Sequence, residues 1–499
     1  MAKRKPAPPA APARAAQTDA LERFRPLLPA EEWPLLLAEL ARPLPQALRV
    51  NLLKASRADL GTWAARYGWE TAPVPYCDSG WQVKTAQTAP SQTLEHRSGQ
   101  YYIQDAASML PVELFDFAGL DTPLVLDLAA SPGGKTTHLV NKTGDRGLTL
   151  ANDGSAARIT ALKLVLQTWG AANTAVTNLP GESFGVWFPE TFDRVLLDAP
   201  CSMQGLRSSD SHPMRPISDR ERDSLAARQA RLLASALEAL KTGGQAVYST
   251  CTLSPEEDEG VLDALLRQYP HAVRVEDTAL RLPQPAPALS GEGGRNFAPG
   301  VTGAARLWPH RYGTAGFFAA LLTKTGPTPA PVLDPPRQPR GRADLEALPA
   351  RAVKDLAGGL RDAYDFDLNA VLEEYHLSLW RRGREVRALP EAFLQRFSGL
   401  PVEMLGLALG EETPDGFIPA HEWVSRFAVD FTGSRLRLEP EQASAWLRGN
   451  DLRTELPGSP GSKSVVIVED ELGRFIGCGR ALTGRLRNLL PRRLAQQAR

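Results

Sequence analysis

The chain has 499 residues, and its 57 lysine and arginine residues balance 57 aspartate and glutamate residues, so its formal net charge is zero. This length accommodates roughly two to four domains. No apolar run approaches the ~18 residues that a membrane-spanning helix needs, which argues against a protein that crosses a bilayer by helices. Four cysteines without a C-x-x-C pair argue against a disulfide scaffold and a metal site, and they favour a reducing cytoplasm.

The N-terminal part begins with a tail and continues with a small domain. Residues 1–18 are basic and rich in alanine and proline, and they lack the apolar core of a signal peptide, so we expect a disordered tail. Residues 19–98 show apolar residues at helical spacing in "EEWPLLLAELARPL", interrupted by the strand-like "ALRVNLLKAS". We interpret them as a helical or mixed N-terminal domain of the RNA-binding type.

Residues 99–325 alternate short apolar strands with amphipathic helices, which is typical of a parallel α/β sheet. The predicted strands are "PLVLDLA", "GLTLAND", "NTAVTN", "FDRVLLDA", "GQAVYST" and "GFFAALLTK". One long helix is predicted between a capping box at Ser218 and Glu221 and a stop at Gly243-Gly244. This pattern predicts a Rossmann-like catalytic domain.

The C-terminal part is predicted from composition. Residues 326–342 are rich in proline and form a predicted linker, residues 343–399 a helical connecting segment, and residues 400–499 a mixed α+β domain with strands such as "SKSVVIVED" and "RFIGCGRAL". Residues 474–499 contain seven arginines and no acid. They form either a solvated basic surface or a contact with nucleic acid.

A glycine turn predicts a nucleotide site. In "VLDLAASPGGKTTHLV", Gly133 and Gly134 allow close backbone approach at a helix start, although such a turn is also found in plain tight connections. The spacing fits neither a P-loop nor a dinucleotide fingerprint. Asp153 follows Gly133 by 20 residues (153 − 133), the offset of an acid that binds ribose hydroxyls, though it could also cap the next helix. Together these residues favour an adenosine ligand without phosphates, with S-adenosylmethionine (SAM) as the first candidate.

Two cysteines follow predicted strands at the edge of the sheet where α/β proteins bind ligands. Cys201 comes after Asp198-Ala-Pro, and Cys251 after "GGQAVYST". Cysteine is often only a small buried apolar residue. Here, however, Cys251 lies three residues before a predicted helix start at Ser254, whose positive potential favours a thiolate. A thiolate, an acid and a methyl donor suit methylation at C5 of cytosine, where thiolate addition to C6 activates C5 and a base later removes the C5 proton.

At this point the sequence resembles the Sun-type (nucleolar-protein/Sun) family of RNA cytosine-5 methyltransferases, and within it the bacterial 16S rRNA methyltransferase F group. The resemblance covers nearly the whole chain beyond the tail. It rests on "LRVNLLK", "YYIQDAASMLPV", "DLAASPGGKT", "LLDAPCS", "YSTCTLSPEE", "RLWPH", "GFFAALLTK" and "GRLRNLLPRRL".

The resemblance implies a Rossmann-like SAM-dependent methyltransferase core, with Cys251 as nucleophile and Cys201 as the residue that assists product release. It further implies Asp153 as the ribose acid and Asp198 as the strand-end acid, with a cofactor loop made of Ala129, Ala130, Ser131, Pro132, Gly133, Gly134 and Lys135. The implied cofactor is SAM, and the implied partner is RNA, either 16S rRNA or the small ribosomal subunit. The C-terminal segment resembles a PUA-type RNA-binding module, which favours RNA contact by its arginines. We expect a cytoplasmic monomer without metal or membrane attachment.

The sequence departs from the family pattern at two places. Met203 and Gln204 stand where the family usually has Gly-Glu after Pro-Cys-Ser, and Pro180 stands where many members have an acid near the adenine. Adenine selection would then depend on backbone groups or on a neighbour such as Asn178. These departures support one alternative, a non-catalytic ribosome-assembly factor that retains the fold and binds RNA.

Overall fold

The computed structural model describes residues 20–205, 216–278, 281–329, 331–337, 345–414, 416–453 and 465–497. The predicted tail, residues 1–18, lies outside them, as do residues 330 and 338–342 of the predicted linker. The described linker residues contain neither helix nor strand. None of the helices within the described ranges is long and apolar enough to cross a membrane.

The N-terminal part contains a four-stranded antiparallel sheet as well as helices. Its strands are Gln46–Val50, Trp69–Val74, Cys77–Ala86 and Tyr101–Ile103. Its α-helices are Trp33–Leu40, Asp59–Tyr67 and Leu94–Arg97, with short 3₁₀ turns at Arg25–Leu27 and Pro90–Gln92. A strand in the stretch "ALRVNLLKAS" is confirmed, but it ends at Val50 and the rest of the stretch is a turn. The hairpin Trp69–Ala86 had no clear signal, because its exposed and buried positions do not alternate strictly.

The centre of the molecule is a nine-stranded sheet, counted over the described residues. In spatial order its main path is Val273–Val275, Phe317–Lys324, Leu240–Thr250, Phe192–Asp198, Leu124–Asp127, Leu148–Asn152, Thr174–Thr177 and Met404–Leu405, and Ala305–Leu307 pairs with Phe317–Lys324. The five strands from Leu240–Thr250 to Thr174–Thr177 are parallel. All six predicted strands are present, and the Rossmann-like fold is confirmed.

Helices cover both faces of this sheet, so its strands are apolar on both sides. The α-helices are Leu110–Glu113, Gly134–Lys142, Ala156–Trp169, Phe184–Trp187, Asp219–Ala239, Glu259–Gln268 and Pro309–Tyr312, with 3₁₀ turns at Ala107–Met109, Gly181–Ser183 and Pro299–Gly303. Leu196 and Leu197 are both buried, yet they belong to different core clusters on opposite faces. This double layer fixes the strand ends at which the polar residues lie.

The long predicted helix is Asp219–Ala239, and the Ser218 side chain accepts a hydrogen bond from the Glu221 backbone, as the capping signal predicted. Its predicted end at Gly243-Gly244 is wrong. The chain becomes extended at the buried Leu240, which pairs with Phe192, and the glycines lie within the next strand.

The C-terminal part contains two further sheets. The first has five strands, Glu346–Ala347, Leu377–Arg382, Glu385–Pro390, Leu407–Thr413 and Gly416–Pro419. The second has four, Arg435–Arg437, Val465–Glu469, Phe475–Leu482 and Arg485–Asn488. The α-helices are Ala350–Tyr364, Leu368–Glu374, Glu391–Arg396, His421–Arg426, Pro440–Leu447 and Arg492–Gln497. The strands predicted in "SKSVVIVED" and "RFIGCGRAL" are confirmed.

The segment predicted as a helical connection, residues 343–399, is only partly helical. Three strands of the five-stranded sheet come from it, and Glu385–Pro390 pairs directly with Leu407–Thr413. A division at residue 400 would therefore separate strands that are hydrogen-bonded to each other. The hairpin Leu377–Pro390 was missed because arginines and glutamates interrupt its apolar alternation.

Candidate active site

The site lies where the order of the parallel strands reverses. From Leu124–Asp127 the chain continues outward to one side through two strands and then returns to the other side as Phe192–Asp198. Such a switch point leaves a crevice at the carboxyl ends of the strands. Asp127 and Asp198 end the two strands that flank it.

A cavity of about 210 Å³ occupies this crevice. Its described lining consists of Tyr102, Ile103, Gln104, Ser108, Asp127, Ala129, Ala130, Ser131, Pro132, Gly134, Lys135 and Asp198. Six of the seven residues predicted for the cofactor loop are among them. Tyr102 and Gln104 come from the N-terminal sheet and its following turn, and sequence reasoning missed them because only the tertiary fold brings them to the loop.

The glycine turn is held close to its neighbours. Gly133 has φ = +111°, and a Cβ on Gly134 would lie 2.9 Å from the Tyr102 ring. The buried Arg49 donates to the Gly134 carbonyl at 2.9 Å and to Thr137 Oγ1 at 2.7 Å, which fixes the first turn of the helix Gly134–Lys142. The turn therefore presents free backbone groups to a ligand at a position that a side chain would fill.

Asp127 is a buried carboxyl group at the base of the cavity. One oxygen accepts from Thr136 Oγ1 at 2.7 Å, and the other, Oδ1, has no hydrogen-bond partner among the described residues. Burial raises the pKa of Asp127 to about 7, and the negative charges of Asp198 and Asp153 add to the rise. An unpaired buried acceptor of this kind suits a ligand that brings a donor or a positive charge.

Asp153 lies beside the cofactor loop and is not among the described residues that line the cavity. Its side chain is buried, with Oδ2 accepting from the Ser131 backbone at 3.1 Å and Oδ1 from the Ser155 backbone at 2.8 Å. It thus holds the cofactor loop and also the start of the following helix, while its contact with ribose hydroxyls, which this capping role leaves open, stays a prediction. Asn178, proposed as a substitute near the adenine, donates to the Asp153 carbonyl at 2.6 Å, and Pro180 precedes a 3₁₀ turn.

Asp198 and Lys135 form an ion pair beside the cavity. Lys135 Nζ lies 2.7 Å from Asp198 Oδ2, and Ser249 Oγ donates to Asp198 Oδ1 at 2.8 Å. Burial by itself would lower the pKa of Lys135, but the charges of Asp198 and then of Cys251 outweigh it, so the pKa is raised. A charged ammonium and a carboxylate therefore face the strand ends together.

The two predicted cysteines are in contact. Cys201 Sγ and Cys251 Sγ are 3.2 Å apart, although 50 residues separate them in sequence. The hydrogen bond that the Cys201 thiol can donate to Cys251, followed by burial, raises the pKa of Cys201 well above its usual value. Cys201 is therefore a thiol that retains its proton firmly, in direct contact with the sulfur of Cys251.

The loop after each cysteine is tied to the other loop. Glu257 Oε2 accepts from the Ser202 backbone at 2.9 Å and from Gln229 Nε2 at 2.9 Å, while Ser202 Oγ donates to Thr252 Oγ1 at 3.1 Å. Sequence reasoning placed Glu257 only in a helix start. Its role in holding the neighbour of Cys201 could not be found without the fold.

The predicted helix start at Ser254 is wrong. The helix is Glu259–Gln268, and residues 254–258 form a turn in which the backbone N–H groups of Glu257 and Asp258 donate to the Ser254 carbonyl. A local positive potential from a helix terminus at Cys251 is thus weaker than expected, because the helix begins eight residues later. The positive charge of Lys135 takes that place.

A second group of polar side chains lies elsewhere, at Cys77, Glu113 and His138. Their ligand atoms are within 4.8 Å of one another, and His138 Nε2 is 3.0 Å from Glu113 Oε1. Lys142 also binds Glu113, at 2.7 Å, and burial lowers the pKa of His138 to about 4. The nearby positive charges and a buried His138 Nδ1 without a described partner favour a hydrogen-bonded cluster over a metal centre.

The C-terminal arginines divide into two groups. Arg474 pairs with Asp470 at 2.6 Å and with Glu95 of the N-terminal part at 2.9 Å, and Arg493 pairs with Glu422. These two serve internal interfaces. Arg487 and Arg492 are exposed and are available to a polyanion, and Arg485 is exposed but lies 3.9 Å from Asp451.

These features define the class of the protein, which is that of the Rossmann-like methyltransferases. They are a doubly wound sheet with a glycine turn, two acids at strand ends and a PUA-like C-terminal part. Family models agree over three regions: residues 117–323 match the 16S rRNA methyltransferase RsmB/F, residues 18–106 the N-terminal domain of 16S rRNA methyltransferase RsmF, and residues 434–496 the methyltransferase RsmF PUA domain.

Relatives extend the match to nearly the whole chain. The protein is 36% identical over 493 residues to "Ribosomal RNA small subunit methyltransferase F" of Erwinia tasmaniensis, covering 96% of both chains, and 35% identical over 472 residues to the protein of that name from Escherichia coli O9:H4, covering 93% of both. The chain belongs to this family of RNA methyltransferases, those named ribosomal RNA small subunit methyltransferase F.

Solved structures agree on the core. A methyltransferase homolog from Pyrococcus horikoshii is 31% identical with a TM-score of 0.52, covering 62% of this chain and 98% of its own. NSun6 from the same organism, solved with SFG, is 21% identical with a TM-score of 0.50, covering 61% of this chain and 97% of its own, and it shows the fold alone.

Proposed function

We propose that the protein transfers the methyl group of SAM to C5 of a cytosine in small-subunit (16S) rRNA through a covalent adduct between Cys251 and C6. One observation carries the proposal: two thiols lie 3.2 Å apart at the ends of neighbouring strands, beside an acid–lysine pair. The names of the relatives support the choice of 16S rRNA. Such a substrate would place the protein in the cytoplasm.

The cavity suits the adenosyl and methionyl parts of SAM. Gly133 and Gly134 allow backbone contact, and the unpartnered Oδ1 of Asp127 can accept from a positively charged amino group. Asp153 supports the loop through Ser131, and the same carboxylate is our candidate for the acid that binds the ribose hydroxyls. When bound, SAM supplies an electrophilic methyl group.

The chain's own residues activate the base. Cytosine C5 is a poor nucleophile, and addition of the Cys251 thiolate to C6 pushes the electron pair of the C5–C6 bond toward C5. The negative charge that develops at N3 is met by the Lys135–Asp198 pair, in which a proton of the Lys135 ammonium can pass to N3 by way of the Asp198 carboxylate. C5 is then nucleophilic enough to be methylated.

Release requires that the C5 proton leave so that the Cys251–C6 bond can break. The electrons of the C5–H bond reform the C5=C6 double bond, and the sulfur departs from C6 as thiolate. Cys201 lies in contact with Cys251, and once the thiol of Cys201 has given its own proton to solvent, the resulting thiolate is a strong base that can accept the C5 proton. Because it retains its proton at rest, it does not compete with Cys251 in the first addition.

The test is transfer of labelled methyl groups. The purified protein is incubated with methyl-labelled SAM and 16S rRNA, free or in the small subunit, from cells that lack the gene, and the RNA is digested to nucleosides. The expected product is 5-methylcytidine, lost in Cys251→Ala and retained in Cys478→Ala, whose thiol is buried in the C-terminal sheet. Absence of methylation from both substrates would favour the ribosome-assembly factor, and label in another nucleoside would overturn the C5 assignment.

A further inference from the structure

Arg23, in the N-terminal part, touches the loops that follow both cysteines. Its Nη1 donates to Gln204 Oε1 at 3.3 Å and to Ser254 Oγ at 3.2 Å, and its Nη2 donates to the two carboxylate oxygens of Glu256 at 2.9 and 3.0 Å. Gln204 lies three residues after Cys201, and Ser254 three residues after Cys251. One guanidinium group therefore bridges equivalent positions of the two loops.

The two cysteines differ in how firmly the fold holds them. Cys251 directly follows Leu240–Thr250, a strand that is hydrogen-bonded on both sides. Cys201 lies in an irregular stretch, and Met203, two residues on, has φ = +58°, which is unfavourable for a side chain with a Cβ. Such a conformation persists only where surrounding contacts hold it.

Gln204, the residue after Met203, makes the contacts that hold this strained backbone. It is 2% exposed, its backbone carbonyl accepts from the Leu253 N–H at 3.2 Å, and Ser254 Oγ donates to its side chain at 3.3 Å. Arg23 adds a charge-assisted bond to the same amide oxygen. The residue that departs from the family's usual Gly-Glu pair is thus built into the joint between the loops.

The position of Arg23 is itself fixed by charge. Glu256 is shared between Arg23 and Arg222, whose Nε lies 3.2 Å from the carboxylate and whose Nη1 donates to the Ile217 carbonyl. The side chain of Arg23 is 23% exposed, and the bonds are therefore only partly screened by water.

We propose that Arg23 is a positioning residue that sets the distance between Cys201 and Cys251 through Gln204 and Ser254. This inference rests on the proposed function. Because Cys251 is anchored by its strand, loss of Arg23 displaces Cys201 more than Cys251. The step that suffers is release of the methylated base, and methyl transfer itself is less affected.

The kinetic test compares Arg23→Ala with Arg23→Lys and with the control Arg25→Ala, an exposed arginine of the same segment that contacts Glu22. For Arg23→Ala we expect kcat to fall about tenfold or more, since a misplacement of about 1 Å can cost about a hundredfold. KM for SAM should stay unchanged, and RNA-bonded enzyme should accumulate. Wild-type kcat in Arg23→Lys would overturn the bridging role, because a lysine keeps the charge near Glu256 without the planar fork.

A second measurement does not require catalysis, and it can be made on Arg23→Lys if Arg23→Ala does not fold. Diamide accepts two hydrogens from a pair of adjacent thiols and leaves a disulfide, so the rate of Cys201–Cys251 disulfide formation, followed by peptide mass spectrometry, reports their proximity. It should fall at least about threefold in Arg23→Lys, more in Arg23→Ala, and not in Arg25→Ala. Unchanged rates in both Arg23 variants would overturn the inference. Slowed rates together with full methylation by a folded Cys251→Ala protein would refute the covalent mechanism and leave the positioning role standing.

Discussion

Asp153 offers a quantitative test of how the cofactor loop is held. Its carboxylate accepts two backbone hydrogen bonds, from Ser131 and Ser155, and its side chain is 5% exposed. Bonds to a charged acceptor contribute about 1.5–3 kcal/mol each. The partner Arg158, at 3.7 Å, is 53% exposed and adds little. Asp153→Ala should therefore lower the free energy of unfolding by about 3 kcal/mol or more.

The assay is thermal unfolding with and without SAM. At about 2–4 °C per kcal/mol for a domain of this size, Asp153→Ala should lower Tm by roughly 6–12 °C, and Asp153→Asn, which keeps one acceptor oxygen, by about half as much. Affinity for SAM should also fall about tenfold because Ser131 lines the cavity. An Asp153→Ala protein with unchanged Tm would refute the reasoning that this carboxylate holds the loop.

Three further predictions follow from particular contacts. Burial raises the pKa of Asp127 to about 7 from an unfolded value near 4, so the folded state binds the extra proton and the free energy of unfolding should fall as pH rises from about 4 to about 7. Asp127→Asn should then raise the Tm of the protein without SAM at pH 8 relative to wild type, but not at pH 4. A gain in Tm at both pH values would contradict the raised pKa. Gly205→Ala would place a Cβ 2.7 Å from the Gly316 carbonyl oxygen and 2.8 Å from that of Cys251, so methylation should drop at least about tenfold, whereas the control Gly61→Ala meets nothing within 4 Å and should be neutral. Arg487→Ala should weaken rRNA binding and reduce the slope of log affinity against log salt concentration by about 1. Arg474→Ala, which breaks an ion pair with Glu95, should mainly lower Tm. Equal slopes for Arg487→Ala and wild type would remove Arg487 from the RNA contact.

The sequence predicted the catalytic sheet well because its strands are short, apolar and separated by clear helices. The same regularity placed Asp198, Cys201 and Cys251 at one edge, where the structure brings the two sulfurs into contact. Motif resemblance also anticipated the PUA-type C-terminal part, which the family model matches over residues 434–496.

Contacts between segments that are distant in sequence could not be predicted. Tyr102 packs on the glycine turn, and Arg23 reaches Gln204 across 181 residues, yet neither contact has a local signature. The error at Ser254 has a different cause. "SPEE" is a favourable helix start, but Glu256 and Glu257 are used in tertiary contacts to Arg23 and Ser202, and the helix begins only at Glu259. Tertiary bonds outweighed the local propensity there.

The most direct test of the central claim is a denaturing gel of the two cysteine variants after incubation with rRNA and SAM. If Cys251 forms the adduct and Cys201 releases it, Cys201→Ala should give a shifted, RNase-sensitive band, Cys251→Ala should give none, and the control Cys77→Ala should behave as wild type. Loss of folding would remove the band from a variant, so circular dichroism of each protein accompanies the gel. Full methylation of rRNA by a folded Cys251→Ala protein would contradict covalent catalysis by this residue.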